Sequence, residues 1–132
     1  MNIIRPISAG DLDVLVEIAD RSGPGFTSLP HNRALLSHKI ERSQAAITQA
    51  VDSPGDQSYL FVLEDLDTQQ VIGTCGIEAA VGTVDPWYHY RIGTIVHASR
   101  ELNVHNSFQT LYLCNDYTGH SEVCTLFLNP EY

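Results

Sequence analysis

The stretch Ser121 to Tyr132, SEVCTLFLNPEY, constrains the fold more than any other part of the chain. Read with period two, Val123, Thr125 and Phe127 face one way, and Cys124, Leu126 and Leu128 face the other. Both faces are largely apolar, the pattern of a strand covered on both sides at the centre of a sheet. Asn129-Pro130 ends the strand, because proline has no N–H to give to the ladder.

The whole chain of 132 residues reads as a single domain, long enough for a real core. Its 43% hydrophobic and 17% charged residues are those of a globular protein, not a disordered one. Seven Lys and Arg stand against 16 Asp and Glu, a net charge of −9. That balance argues against nucleic acid and against an anionic membrane surface, since both need a basic face. It suits a cationic substrate, although acidic surfaces commonly serve solubility alone. Met1 to Pro6 has no basic region followed by an apolar run, so no signal peptide is visible. No window reaches the length of a membrane span. Cys75, Cys114 and Cys124 are an odd number, widely spaced, each inside an apolar run. They read as buried, reduced thiols of a cytoplasmic protein, with a catalytic cysteine as the weaker alternative.

In chain order, Asn2 to Ile7 reads as a short strand. Ser8 caps a helix, with Asp11 favouring its positive end and Leu12, Leu15, Val16 and Ala19 forming one apolar stripe. Gly23-Pro24-Gly25 ends that helix. Asn32 caps a second, with Leu36, Ile40 and Ile47 on one side, fraying into the loop Asp52 to Asp56. A hairpin follows: Tyr59 to Glu64 and Val71 to Ile77 flank the polar turn Asp65 to Gln70. Glu78 continues the second strand, either simply solvated or, if its face lines a cleft, able to hold an amine or guanidinium. Tyr90 to His97 and Phe108 to Cys114 are further strands, joined by the polar connection Ala98 to Ser107. The expected architecture is two N-terminal helices on one sheet with strands near 58–64, 70–80, 90–97, 109–115 and 122–128.

Motifs of known chemistry are missing. There is no Gly-x-Ser-x-Gly elbow, Walker loop or His-Glu-x-x-His. Gly23-Pro24-Gly25 is no dinucleotide fingerprint, because proline removes an N–H that phosphate needs. The histidines His31, His38, His89, His97, His105 and His120 never pair at i, i+4. His97 and His105 flank one connection and could meet, as a hydrogen-bonded pair more readily than as a metal site. Trp87, Tyr88, His89 and Tyr90 form an aromatic cluster suited to core or interface packing.

A β-α-α order followed by strands, with apolar alternation running into Asn-Pro-Glu-Tyr, resembles the GCN5-related N-acetyltransferase fold. In that fold the strand leads into a glycine-rich loop whose N–H groups cradle the coenzyme A pyrophosphate. The loop Gly25 to Pro30 is then either a plain connection or an overhang of the acceptor pocket. The resemblance is sharper still to the arginine N-succinyltransferase family, close to the arginine/ornithine succinyltransferase subunits. It is carried by Gly25 to Pro30, Leu60 to Gly82, Asp85 to Asn106 and Thr110 to Tyr132, including the strings HASRELNVHN and LCNDYTG. Phe108-Gln109 stands where the family often has Leu-Pro, and His120 where a serine is common.

What the resemblance implies is an α+β acyltransferase domain over residues 1–132, ending before the cofactor pyrophosphate loop. The reaction is transfer of succinyl from succinyl-CoA to the α-amine of L-arginine, with ornithine as the alternative acceptor, opening a route of arginine breakdown. The family's succinyl-CoA contact maps to Leu126, whose side chain is expected to face the core, leaving the contact to the main chain. No catalytic residue and no metal ligand is expected here, since the family's proton-donating histidine lies further on. The expected partners are the two substrates and a homo- or hetero-oligomer, without nucleic acid or membrane. The competing reading is a non-catalytic subunit or small-ligand binder with the same fold.

Overall fold

The computed structural model describes all 132 residues as an α+β chain. Strand β1 (Asn2–Pro6) leads through a 3-10 turn (Ala9–Asp11) into α1 (Leu12–Arg21) and α2 (Arg33–Thr48). Then come β2 (Ser58–Asp65), β3 (Gln70–Glu78), β4 (His89–Ser99), β5 (Val104–Cys114) and β6 (Glu122–Leu128). Four strands make an antiparallel sheet in the order β1-β2-β3-β6.

Both helices cover one face of that sheet. The α1 stripe buries Leu15, Ile18 and Ala19, with Leu12 and Val16 packed beside them. Helix α2 starts where Asn32 accepts a hydrogen bond from the Leu35 N–H at 3.1 Å. Its buried side is Leu36, Ile40, Ser43 and Ala46, whereas Ile47 is exposed. Position 47 lies one residue past the i, i+4, i+7, i+10 row that meets β2, which corrects the expected stripe. Ser43 earns its buried place by hydrogen bonding: its Oγ accepts from the Leu60 N–H at 2.8 Å. Leu60 and Val62 of β2 complete the core with Ile7 and Leu29.

The expected single sheet is corrected in two places. Strands β4 and β5 form a separate two-stranded ribbon, paired without a break from His89↔Cys114 to Ser99↔Val104. The connection is only Arg100 to Asn103, with Asn103 at φ 50°, so most of the segment read as a polar loop is strand. A ribbon closed by so short a turn satisfies its inner hydrogen bonds locally, between its own two strands.

The second correction concerns β6, which pairs with β3 alone and so forms the sheet's edge within this chain. No helix covers the face opposite α1 and α2. There Ile4, Ile77, Val123, Leu126 and Leu128 are exposed. The apolar composition of β6 on both faces is real, but only one face is covered by these residues.

Candidate functional site

The course of β6 is irregular at its middle. Gly76 pairs with Cys124 and Thr74 with Phe127, so Thr125 and Leu126 together stand opposite Cys75. This is a β-bulge, and it breaks the period-two pattern expected of the strand. Cys124 and Thr125 both turn toward the helix side, Thr125 being buried, and Leu126 turns out at 65% exposure. Thr125 reaches this conformation at φ 53°, costly for a β-branched residue. Its carbonyl is held by the Thr74 hydroxyl, which donates at 2.9 Å. Gly73 permits the close approach of the two strands. A Cβ there would lie 2.6 Å from the Phe127 carbonyl oxygen.

Beside the end of β6 lies a cleft of about 490 Å³, bounded by α1, the start of β3, and the segment Phe127 to Glu131. Two arginines enter it, and both already have carboxylate partners. Arg5 donates to both Asp11 oxygens at 2.8 Å and also pairs with Glu64. Asp11 accepts in addition from the Ser8 N–H and hydroxyl, both at 2.7 Å. The Arg5 guanidinium foremost, helped by Ser8, holds the Asp11 carboxyl down at about 2. The Arg5 pKa is raised in turn, chiefly by its hydrogen bonds to Asp11. Arg21 donates to Asn129 Oδ1 at 3.2 Å and lies 3.9 Å from Glu131, tying α1 to the residues after β6. The cleft therefore sets two arginines against three carboxylates, Asp11, Glu17 and Glu131, at the strand's carboxyl end, and neither arginine is free to neutralise a phosphate.

The family described as "Arginine N-succinyltransferase beta subunit" matches residues 2–132. The chain belongs to the arginine N-succinyltransferase family. Relatives named arginine N-succinyltransferase, from Salmonella paratyphi B and Salmonella newport, are each 54% identical over the whole chain. The chain spans 38% of the length of either. It is also similar to a solved structure, arginine/ornithine succinyltransferase subunit AI from Pseudomonas aeruginosa. That likeness has a TM-score of 0.85 at 38% identity, covering 99% of this chain and 40% of the other.

Against this family frame, the residues singled out by sequence scatter. Leu126 sits at the bulge with its side chain in solvent, correcting the expected core-facing orientation; it shares with Leu128 the face of the sheet that no helix covers, and the bulge adds Val123 to that face. Leu126→Asp in this chain is accordingly expected to change stability by no more than about 0.5 kcal/mol. Thermal melting checks this, and a loss of several kcal/mol would mean the side chain is packed. Glu78 accepts from the Ser58 hydroxyl at 2.8 Å and borders a recess of about 130 Å³ with Arg42 and Asp56. The loop Gly25 to Pro30 is pinned to the core, with Leu29 buried and the Phe26 ring 6.1 Å from that of Phe127. All three cysteines are unpaired and partly buried on strands, and burial pushes the Cys124 thiol up.

His97 and His105 do not meet. His97 pairs with Asn106 and His105 with Ala98, which places the two imidazoles on opposite faces of the ribbon. The aromatic cluster also differs from the one read in sequence. Trp87 and His89 gather Tyr117, whose ring lies 4.5 Å from His89, while Tyr88 and Tyr90 are exposed. At the root of the ribbon, single donor atoms of His89, Cys114 and Asp116 lie within 4.8 Å of one another. Arg91 donates to Asp116, and His89 Nε2 lies 3.1 Å from the same carboxylate. The Asp116 charge is thus already balanced, and the group works as a clasp across the ribbon's root. Sequence reasoning missed this clasp, the Arg5–Asp11–Glu64 cluster and the bulge.

Proposed function

We propose that this chain is the N-terminal part of an arginine N-succinyltransferase with the GCN5-related N-acetyltransferase fold. Its substrates are succinyl-CoA and the α-amine of L-arginine, with ornithine as the alternative acceptor. The observation that carries the reading is the interrupted ladder at Thr125–Leu126. It leaves main chain at the middle of β6 without a register partner on β3, where an acyl carbonyl could receive a hydrogen bond. Exposed Val123, Leu126 and Leu128 flank that point and suit the methylenes of a pantetheine arm. The neutral amine attacks the thioester carbonyl, the C–N bond forms, and backbone N–H groups steady the oxyanion. The C–S bond then breaks and coenzyme A leaves as the thiol. Proton transfer falls to a histidine that the resemblance places beyond Tyr132, so none of these residues is catalytic. Three free thiols on strands fit a reducing compartment, and we place the protein in the cytoplasm.

The test is reconstitution with the remainder of the Salmonella paratyphi B relative, following thiol release from succinyl-CoA. Arginine-dependent release is expected only when both parts are present. Leu126→Pro, which removes one N–H at the bulge, is expected to lower kcat by roughly 10²-fold, with Leu126→Ala near wild type. Equal rates for all three would remove the main-chain role from Leu126.

A further inference from the structure

The root of the β4–β5 ribbon gathers more donor chemistry than a structural turn needs. His89 opens β4 and Cys114 closes β5, and the two pair directly in register, so their side chains share one face of the ribbon. Asp116 lies two residues past Cys114 and brings its carboxylate to the same point. One donor atom from each of the three lies within 4.8 Å of the other two. The His89 ring is held in place. Trp87 stacks against it with centroids 6.2 Å apart, Tyr117 lies at 4.5 Å, and the side chain is 15% exposed. Its Nε2 lies 3.1 Å from Asp116, yet its Nδ1 is buried without a hydrogen-bond partner. A buried ring nitrogen in that state calls for a further partner. Cys114 is a free, partly buried thiol.

One cation already stands against this group. The Arg91 guanidinium donates to Asp116 at 2.5 Å, but from a side chain 65% exposed, so it withdraws into water at little cost. The donors suit a different cation. Thiolate sulfur, imidazole nitrogen and a carboxylate oxygen are the mixed set of zinc, whereas calcium and magnesium take oxygen alone. Zinc bonds of about 2.0–2.3 Å place bound donors roughly 3.3–3.8 Å apart, so the three side chains need draw in by about 1.5 Å at most. We propose that His89, Cys114 and Asp116 form a zinc-class metal site at the root of the ribbon, with Arg91 displaced from Asp116 on binding and a fourth position left to water. Cys114 binds as the thiolate and its proton goes to solvent, while His89 binds as the neutral ring. The ion joins the start of β4, the end of β5 and the turn leading to β6. It thereby fastens a two-stranded ribbon that is marginal by itself and that the other elements barely touch. The site departs from the expectation of no metal ligand in these residues, and no step of the proposed acyl transfer runs through it.

Cobalt(II) and zinc titrations of the reduced 132-residue chain test the proposal. Cobalt is expected to give a thiolate charge-transfer band in the near ultraviolet, saturating at one metal per chain, and zinc to remove it. Zinc competed against a chromophoric chelator should show a dissociation constant of about 1–10 µM, weaker than a closed four-ligand site. Cys114→Ser should abolish the band. Like His89→Gln, it should weaken zinc by at least roughly 10- to 100-fold, the loss that even an outer-shell partner causes. Cys75→Ser and His97→Gln should change neither readout. Arg91→Ala separates this site from adventitious binding: it removes the competitor for Asp116, keeps all three donors, and should tighten zinc several-fold. Circular dichroism of the metal-free variants reports that the fold persists, and amide exchange in β4 and β5 should slow when zinc is added. No cobalt band together with zinc affinity weaker than about 100 µM would overturn the proposal. So would a band that survives Cys114→Ser, which assigns the metal to another cysteine, or unchanged affinity in Arg91→Ala, which separates the metal from Asp116.

Discussion

Thiol release from a mixture of succinyl-CoA, arginine and the 132-residue chain is expected to stay at the uncatalysed rate. On the proposed function, the surface these residues offer a cofactor is the bulged edge of β6 and the apolar residues beside it. A few main-chain hydrogen bonds there are worth about 0.5–1.5 kcal/mol each, which does not offset the ordering of a long flexible cofactor. Phosphate groups find no ready cation nearby. Arg5 is committed to Asp11 and Glu64, and Arg21 lies against Glu17, Asn129 and Glu131. The proposed function takes its proton donor from outside these residues, and lacking such a donor costs roughly another 10²–10⁴-fold. Calorimetry with coenzyme A should accordingly show no saturable binding at micromolar concentrations. Saturable turnover, or micromolar affinity, by the chain alone would overturn this account of the site.

Local signals in the sequence predict the elements well, because local physics decides them. Asn129-Pro130 stops β6 at Leu128, Asn32 caps α2, and the turn between β2 and β3 closes with Gln69 at φ 57°. What a strand pairs with is not written in its own period. Nothing between Tyr90 and Cys114 distinguishes strands of the main sheet from strands that pair only with each other. The bulge was invisible for a related reason. Thr125 fits period-two alternation perfectly well, and the register is broken by one extra residue on β6 opposite Cys75. The partial signal lay on the partner strand, where Gly73 and Gly76 leave room that a side chain would fill. The assignment of Leu126 to a cofactor contact rests on resemblance alone, while its outward side chain follows from which face of the sheet is covered. The Arg5–Asp11 pair joins residues six apart, but only once a strand has turned into a helix are they neighbours.

Arg5→Ala is expected to lower the stability of the chain by about 3 kcal/mol, the usual result of removing one partner from a largely buried ion pair. The Asp11 side chain is 8% exposed and that of Glu64 18%, so the substitution leaves two carboxylates in a poorly hydrated corner. For a domain of this size the melting temperature should fall by roughly 10 °C. The same geometry sets a pH dependence whose sign follows from Asp11. Its folded-state pKa of about 2 lies below the unfolded value near 3.9, so the folded form is stabilised while the carboxyl is ionised. The contribution, on the order of 2 kcal/mol, is fully present above about pH 5 and is lost as pH falls from there through 2. Urea midpoints of the wild type and Asp11→Asn should therefore differ at pH 7 and draw together below about pH 3. A gap that stays constant down to the acid limit would show that the Arg5–Asp11 charge interaction is not what holds β1 to the start of α1.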